Sequence, residues 1–274
     1  MNSGAFKKNF YKGLIYLFLI VMSFLSVFPL YWCFISSTNT TQEILGGKLV
    51  PGGHLIENIT HLLEQQRVFT ALKNSFINTI LVVVLSLACC SIAGYGFEVY
   101  HTPGKDRVMK ILMISMMVPF VAITVPMFQM FSSMGLLNKY IGFVLPSIST
   151  PFLIMLFRNN ARNFPKDLIE AARIDGLNEL MIFVRIFFPT MRPTYAAAAT
   201  ITFMNSWNSF LWPRIIFKTN ESVTMPMLVS NLTNGYIIDY GVVMAGVTIC
   251  TLPTVIIFFI LQKSFTEAIT GSVK

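Results

Sequence analysis

Apolar positions in this chain do not alternate along short elements. They run for the thickness of a bilayer and are separated by brief polar intervals. A membrane-crossing helix needs about 20 predominantly apolar residues. Six such stretches are read, at about 13–36, 75–100, 109–133, 141–158, 194–217 and 241–262. The fourth is short and interrupted by Pro146 and Pro151. Pro29, Pro119, Pro126 and Pro253 sit inside other spans, where neighbouring helices can satisfy the carbonyls that a proline frees. Pro119 and Pro126 are seven apart, so they would kink the third helix on one face. The first stretch is too long for the apolar region of a signal peptide and runs into Tyr31-Trp32 rather than a small-residue cleavage site. It is expected to persist as the first helix. The pattern predicts an all-α membrane protein with six transmembrane helices and a single transmembrane domain over residues 1–274.

One interval has a character of its own. Between the fourth and fifth spans, Glu170–Pro193 reads EAARIDGLNELMIFVRIFFPTMRP and holds Glu170, Arg173, Asp175, Glu179, Arg185 and Arg192, although only 12% of the chain is charged. Its punctuation is that of two short helices joined by a glycine. Pro165 opens the first, where a missing N–H costs nothing, and Gly176 ends it in a left-handed conformation. Asn178 caps the second and Pro189 stops it. A helix–turn–helix on the face of a membrane protein predicts a docking surface for a cytoplasmic partner.

Composition and charge narrow the class. Hydrophobic residues make up 54% of the chain and mean hydropathy is +0.66, far from a soluble domain. Fourteen Lys and Arg fall on the side of the Glu170 interval and both termini, against six on the other side. Cytoplasmic loops carry such an excess, so both termini and the Glu170 interval are placed in the cytoplasm. The net charge of +8 is mostly this bias, and no basic patch interleaved with exposed aromatics argues for nucleic acid. There is no G-x-x-x-x-G-K-[ST] loop; Gly46-Gly47-Lys48 lacks both the spacing and the hydroxyl residue. His54, His61 and His101 form no H-E-x-x-H pattern, and His54 and His61 are read as solvated loop residues rather than metal ligands. Cys33, Cys89, Cys90 and Cys250 fall within spans without ligand spacing, so packing is their expected role. No catalytic residue, metal or cofactor is expected, and an enzyme reading has no residues to stand on. The spans are also nearly free of ionisable groups, with Glu98 close to the cytoplasmic end of the second and Asp239 just outside the sixth. That argues against transport driven by ions bound at mid-membrane. Energy is then expected from elsewhere.

The order of residues in the charged interval makes the docking expectation specific. Glu170-Ala171-Ala172, then Gly176, then Ile186 and Phe188-Pro189 resembles the EAA loop of bacterial ABC importer permeases, with Phe188 where leucine is usual. The fifth span carries Asn205-Ser206-Trp207-Asn208-Ser209-Phe210-Leu211-Trp212-Pro213, similar to the W-N-x-F-L-W-P segment of the carbohydrate, maltose-permease-like branch. The resemblance runs over nearly the whole chain. It implies a bacterial cell-membrane permease with coupling helices at about 163–193, forming a heterodimer with a second permease subunit above two ATP-binding subunits and fed by an extracellular sugar-binding protein. In that scheme Glu170 is the charged anchor to the ATPase, Ala171 and Ala172 keep the helix narrow, and Asp175-Gly176 makes the turn. Leu168, Met181 and Val184 supply apolar contact. The alternatives are an importer of another solute, such as a glycerol phosphate ester, for which Arg214 is the cation to watch, and a membrane assembly or sensor protein without transport.

Other segments carry weaker expectations. Asn205 and Asn208 are three apart and Asn205 and Trp212 seven apart, placing them near one helix face. The asparagines either line the pathway or hydrogen-bond neighbouring helices, and Trp212 either lines it or anchors at the interface. Met109, Met113, Met116, Met117, Met127, Met130 and Met134 make the third span adaptable, ordinary packing being the plainer reading for any one of them. Residues 37–74 form the longest outer interval, with a helical stretch near Leu55–Arg67 whose Leu62, Leu63 and Val68 could rest on the membrane surface. By resemblance, the interval 218–240 reaches toward the sugar-binding protein, and the tail Gln262–Lys274 lies against the ATPase subunits.

Overall fold

The computed structural model describes residues 3–270, and every regular element among them is a helix. The chain begins with α1 (Ser3–Ser36), followed by the short α2 (Thr41–Leu45) and by α3 (Leu55–Gln65). A long α4 (Val68–Val99) leads to α5 (Pro103–Ser115) and α6 (Phe120–Ser133), which meet at 97°. Next come α7 (Tyr140–Val144), a 3-10 turn at Leu145–Ser147, and α8 (Pro151–Ala161), bent by 49° from the segment before it. The charged interval folds as α9 (Lys166–Ile174), α10 (Glu179–Ile182), a π-turn at Phe183–Phe187 and α11 (Phe188–Thr190). The remainder is α12 (Arg192–Trp207), α13 (Leu211–Ile216), α14 (Met225–Leu232) and α15 (Tyr240–Thr270).

Three helices among the described residues are long and apolar enough to cross a membrane, within Phe10–Ser36, Val68–Val99 and Tyr240–Lys263; counting each bent pair as one span gives five. The third expected span is therefore not a helix kinked twice on one face. Pro119 caps a new helix after the chain has turned, while Pro126 lies inside α6 without breaking it. The fifth expected span is divided as well: α12 ends at Trp207 and α13 starts at Leu211. Of the expected tail, residues 271–274 lie outside the described residues.

The chain clusters into two compact units. One comprises the residues up to Arg67 together with Val229–Thr251. Buried amides hold its outer interval in place. Asn58 Nδ2 donates to the carbonyls of Ser37 and Asn39 at 2.9 and 3.0 Å, and Asn39 Nδ2 donates to Ile35 and Val50, both at 3.1 Å. Leu62 is fully buried here, which corrects its expected place on the membrane surface; Val68 is buried too, and only Leu63 is exposed.

The other unit comprises Val68–Leu228 and the chain from Leu252 onward. Its axis is α4, against which α8 and α12 pack. A Cβ at Gly94 would stand 2.6 Å from Phe157 Cβ and 2.9 Å from Arg158 N, so α4 and α8 touch backbone to backbone at this glycine. Below that contact, Cys90, Met109, Leu153, Ile154, Phe157 and Ala198 form one apolar cluster. Val82, at the middle of α4, belongs to another with Phe131, Phe143, Trp212 and Ile216.

Candidate functional site

Local chemistry builds the charged interval as a hairpin. Asn178 has an extended backbone and its side-chain oxygen accepts from Met181 N at 2.8 Å, capping α10 as its residue type predicts. Gly176 has φ of 79°, with nothing within 4 Å of a Cβ placed there, so glycine is needed for conformation and not for space. Pro189 does not stop the second helix. The backbone widens to a π-turn, Phe188 N–H reaching back to Phe183, and helical geometry continues through Thr190. That wider turn takes up the register where proline offers no N–H.

One side of the hairpin is fixed to the chain's own core. Ile169, Ala172, Ile182 and Phe187 bury against Tyr95, Ala161, Phe164 and Met191. Complete burial of Ile182 and Phe187 contributes about 1.5–3 kcal/mol each. Ala172 is thus turned inward, which corrects the expectation that both alanines narrow the partner-facing side; Ala171 is exposed. The two arms are tied by Arg173 Nε to Glu179 Oε1 at 2.8 Å, while Tyr95 Oη donates to Glu179 Oε2 at 3.1 Å. Arg173 holds the Glu179 carboxyl below the usual carboxylate range, and Glu179 in turn raises the guanidinium of Arg173.

The opposite side of the hairpin is apolar and exposed. Leu168, Met181 and Val184 are there, but Ile174 at 87% and Leu180 at 70% are the most exposed apolar groups of the hairpin. The sequence reading passed over both, although a β-branched residue just before an Asp-Gly turn is a usable signal. Glu170 and Asp175 are exposed as well. Glu170 and Arg173 share a cleft of about 80 Å³ with Glu98 and Val99.

A second feature of this unit is a cavity of about 750 Å³ between α4, the α5–α6 bend, α7–α8 and α12–α13. Val82, Met116, Phe120, Phe143, Phe152, Leu153 and Trp212 supply its apolar wall. Ser147, Thr150, Thr202, Asn205, Ser206 and Ser209 supply the polar one, and no lining residue is charged. Thr202 lines this cavity and is nine-tenths buried, and its hydroxyl is buried without a hydrogen-bond partner. Asn205 and Trp212 both reach the cavity, from two helices rather than from one helix face. Asn208 does not line it; this residue ends α12, and its Nδ2 donates to Met204 O at 2.9 Å. Trp212 is no interface anchor. Its indole is buried, donates to Gly142 O at 3.2 Å and meets Phe131 edge-on with centroids 5.3 Å apart. Arg214 is exposed and is not part of the lining.

Comparison with known proteins gives three findings. Residues 91–271 match the family model described as "Binding-protein-dependent transport system inner membrane component". Among characterised relatives, the lactose transport system permease protein LacG of Rhizobium radiobacter is 41% identical over 259 residues, 94% of this chain and 95% of that one. The arabinooligosaccharides transport system permease protein AraQ of Bacillus subtilis (strain 168) is 33% identical over 270 residues, covering 96% of each chain. Among solved structures, a chain of a bacterial ABC transporter involved in the import of the acidic polysaccharide alginate aligns with a TM-score of 0.84 at 19% identity, over 97% of this chain and 99% of that one. That likeness shows the fold.

Proposed function

Since the chain belongs to the family of inner membrane components of binding-protein-dependent transport systems, we propose that it is a permease subunit of an ATP-driven importer of neutral carbohydrate, one half of a heterodimeric channel that couples ATPase closure to alternating access. The observation that carries this reading is the hairpin: one side locked to the spans, the other presenting Leu168, Ile174, Leu180, Met181 and Val184 with Glu170 and Asp175 beside them. A surface of that kind fits a cleft in a partner. The substrate class rests on the cavity, whose hydroxyls and amide pair with sugar hydroxyls while its aromatic rings pack on apolar sugar faces. The lactose and arabinooligosaccharide systems of the relatives support it. An anionic ester would call for Arg or Lys in the wall, and the wall has neither.

The scheme has six crossings, the divided 192–216 segment being the fifth, with both termini and the hairpin in the cytoplasm. A second permease subunit supplies the other half of the pathway, two ATP-binding subunits sit below, and an extracellular binding protein delivers sugar. ATP binding draws the hairpins together, the spans open outward, and hydrolysis resets them. Uptake of a labelled panel of mono- and oligosaccharides, in cells with and without the chain, tests the substrate: one sugar group should lose ATP-dependent uptake. Glu170→Ala with Gly176→Pro should abolish that uptake while the chain still inserts. Normal uptake with both changes would remove the coupling role.

A further inference from the structure

Arg158 and Glu98 are the buried charged side chains among the described residues, 3% and 9% exposed. Arg158 lies near the end of α8 and Glu98 in the last turn of α4. Arg158 Nε donates to Glu98 Oε2 at 3.3 Å, and a second guanidinium nitrogen donates to Asp106, in the first turn of α5. Arg162 reaches the same Glu98 oxygen at 3.3 Å, and His101 Nε2 stands 3.0 Å from Asp106 Oδ2. Gly94, one turn before Glu98, brings the α4 and α8 backbones together. Three helix ends thus meet at one guanidinium.

The same three helices also wall the large cavity. Val82 comes from α4, Met116 from the end of α5, and Phe152 and Leu153 from α8. On the hairpin side, Glu98 shares its cleft with Glu170 and Arg173, and Tyr95 of the same helix holds Glu179. A buried ion network of this sort adds little stability over well-packed apolar side chains, yet moving one partner away strands a charge. What it imposes is geometry. We propose that Arg158 is a positioning residue that locks the ends of α4, α5 and α8 into one block, so that displacement of the hairpin reaches the cavity wall as a concerted movement. The purpose of this clamp rests on the importer reading; its geometry does not.

The test uses the assembled complex in proteoliposomes and the variant Arg158→Lys, whose point charge cannot fork to two carboxylates. The variant should assemble and hydrolyse ATP, while sugar moved per ATP falls about 2- to 30-fold, the span expected when a coupling residue is lost. A second readout places spin labels at Val108, in α5, and Asn163, just after α8, both exposed. In the native chain their distance should stay the same with and without ATP; in Arg158→Lys it should broaden or depend on nucleotide. An unchanged ratio of sugar to ATP overturns the proposal, and so does a native distance that shifts between states. A native complex that hydrolyses ATP but moves no sugar overturns the carbohydrate reading instead, and the label pair then decides on the clamp alone.

Discussion

Gly94 and Gly176 look alike in the sequence and are required for different reasons. At Gly94 the limit is space, with Phe157 Cβ and the Arg158 amide inside contact distance of any added carbon. At Gly176 the limit is conformation, φ of 79° in open surroundings. Overpacking at the first site costs about 1–3 kcal/mol, and the left-handed penalty at the second about 1–2 kcal/mol. Alanine at either should therefore lower the unfolding temperature in detergent. Asparagine, which tolerates the left-handed region, should recover part of the loss at 176 and none at 94. Thr202 gives a contrasting expectation. Its hydroxyl is buried without a partner, so Thr202→Val should leave stability unchanged or slightly raised. The same change should raise the KM for sugar uptake if the hydroxyl serves the substrate; a raised KM with an unchanged melting curve separates the two roles.

Among the elements, those governed by local chemistry were legible in the sequence. Asn178 capping α10, Gly176 closing α9 and the long apolar α1, α4 and α15 follow from residue type and run length. Elements governed by distant partners were not. The 97° turn before Pro119 depends on Phe120 and Phe131 finding Trp212, far along the chain, and no local pattern announces it. The division of 192–216 follows from Asn208 folding back on Met204 while Trp212 turns to Gly142, so the spacing of Asn205, Asn208 and Trp212 misled as a helix face. The inward side of Ala172 was hidden for the same reason, since the core it faces is built by residues outside its own helix, among them Tyr95, Phe164 and Phe187. The Arg173–Glu179 tie makes a prediction about pH. Arg173 depresses the Glu179 pKa in the folded chain, so its stabilisation is complete above the ordinary carboxylate range and is lost as pH falls through the lowered value. Glu179→Gln should melt earlier than the native chain at pH 7, and the two curves should converge as pH falls well below the ordinary carboxylate range.

For the molecule as a whole, the charge bias of the intervals predicts an orientation that two exposed residues can report. Ile174 is 87% exposed on the hairpin and Ile237 is 94% exposed in the 218–240 interval. With cysteine placed at each in turn, a membrane-impermeant maleimide should label position 237 in intact cells and position 174 only after permeabilisation. The reverse pattern would overturn the proposed topology. The bend between α5 and α6 carries a consequence for biogenesis. Its segment has no single apolar helix to offer an insertion machinery, and Phe131 of α6 packs on Phe143, Trp212 and Ile216, all synthesised later. Irregular backbone at membrane depth is tolerated only where protein covers it. Nascent chains released soon after residue 139 should therefore leave this segment outside the bilayer, and it should settle only once the ribosome has passed residue 217.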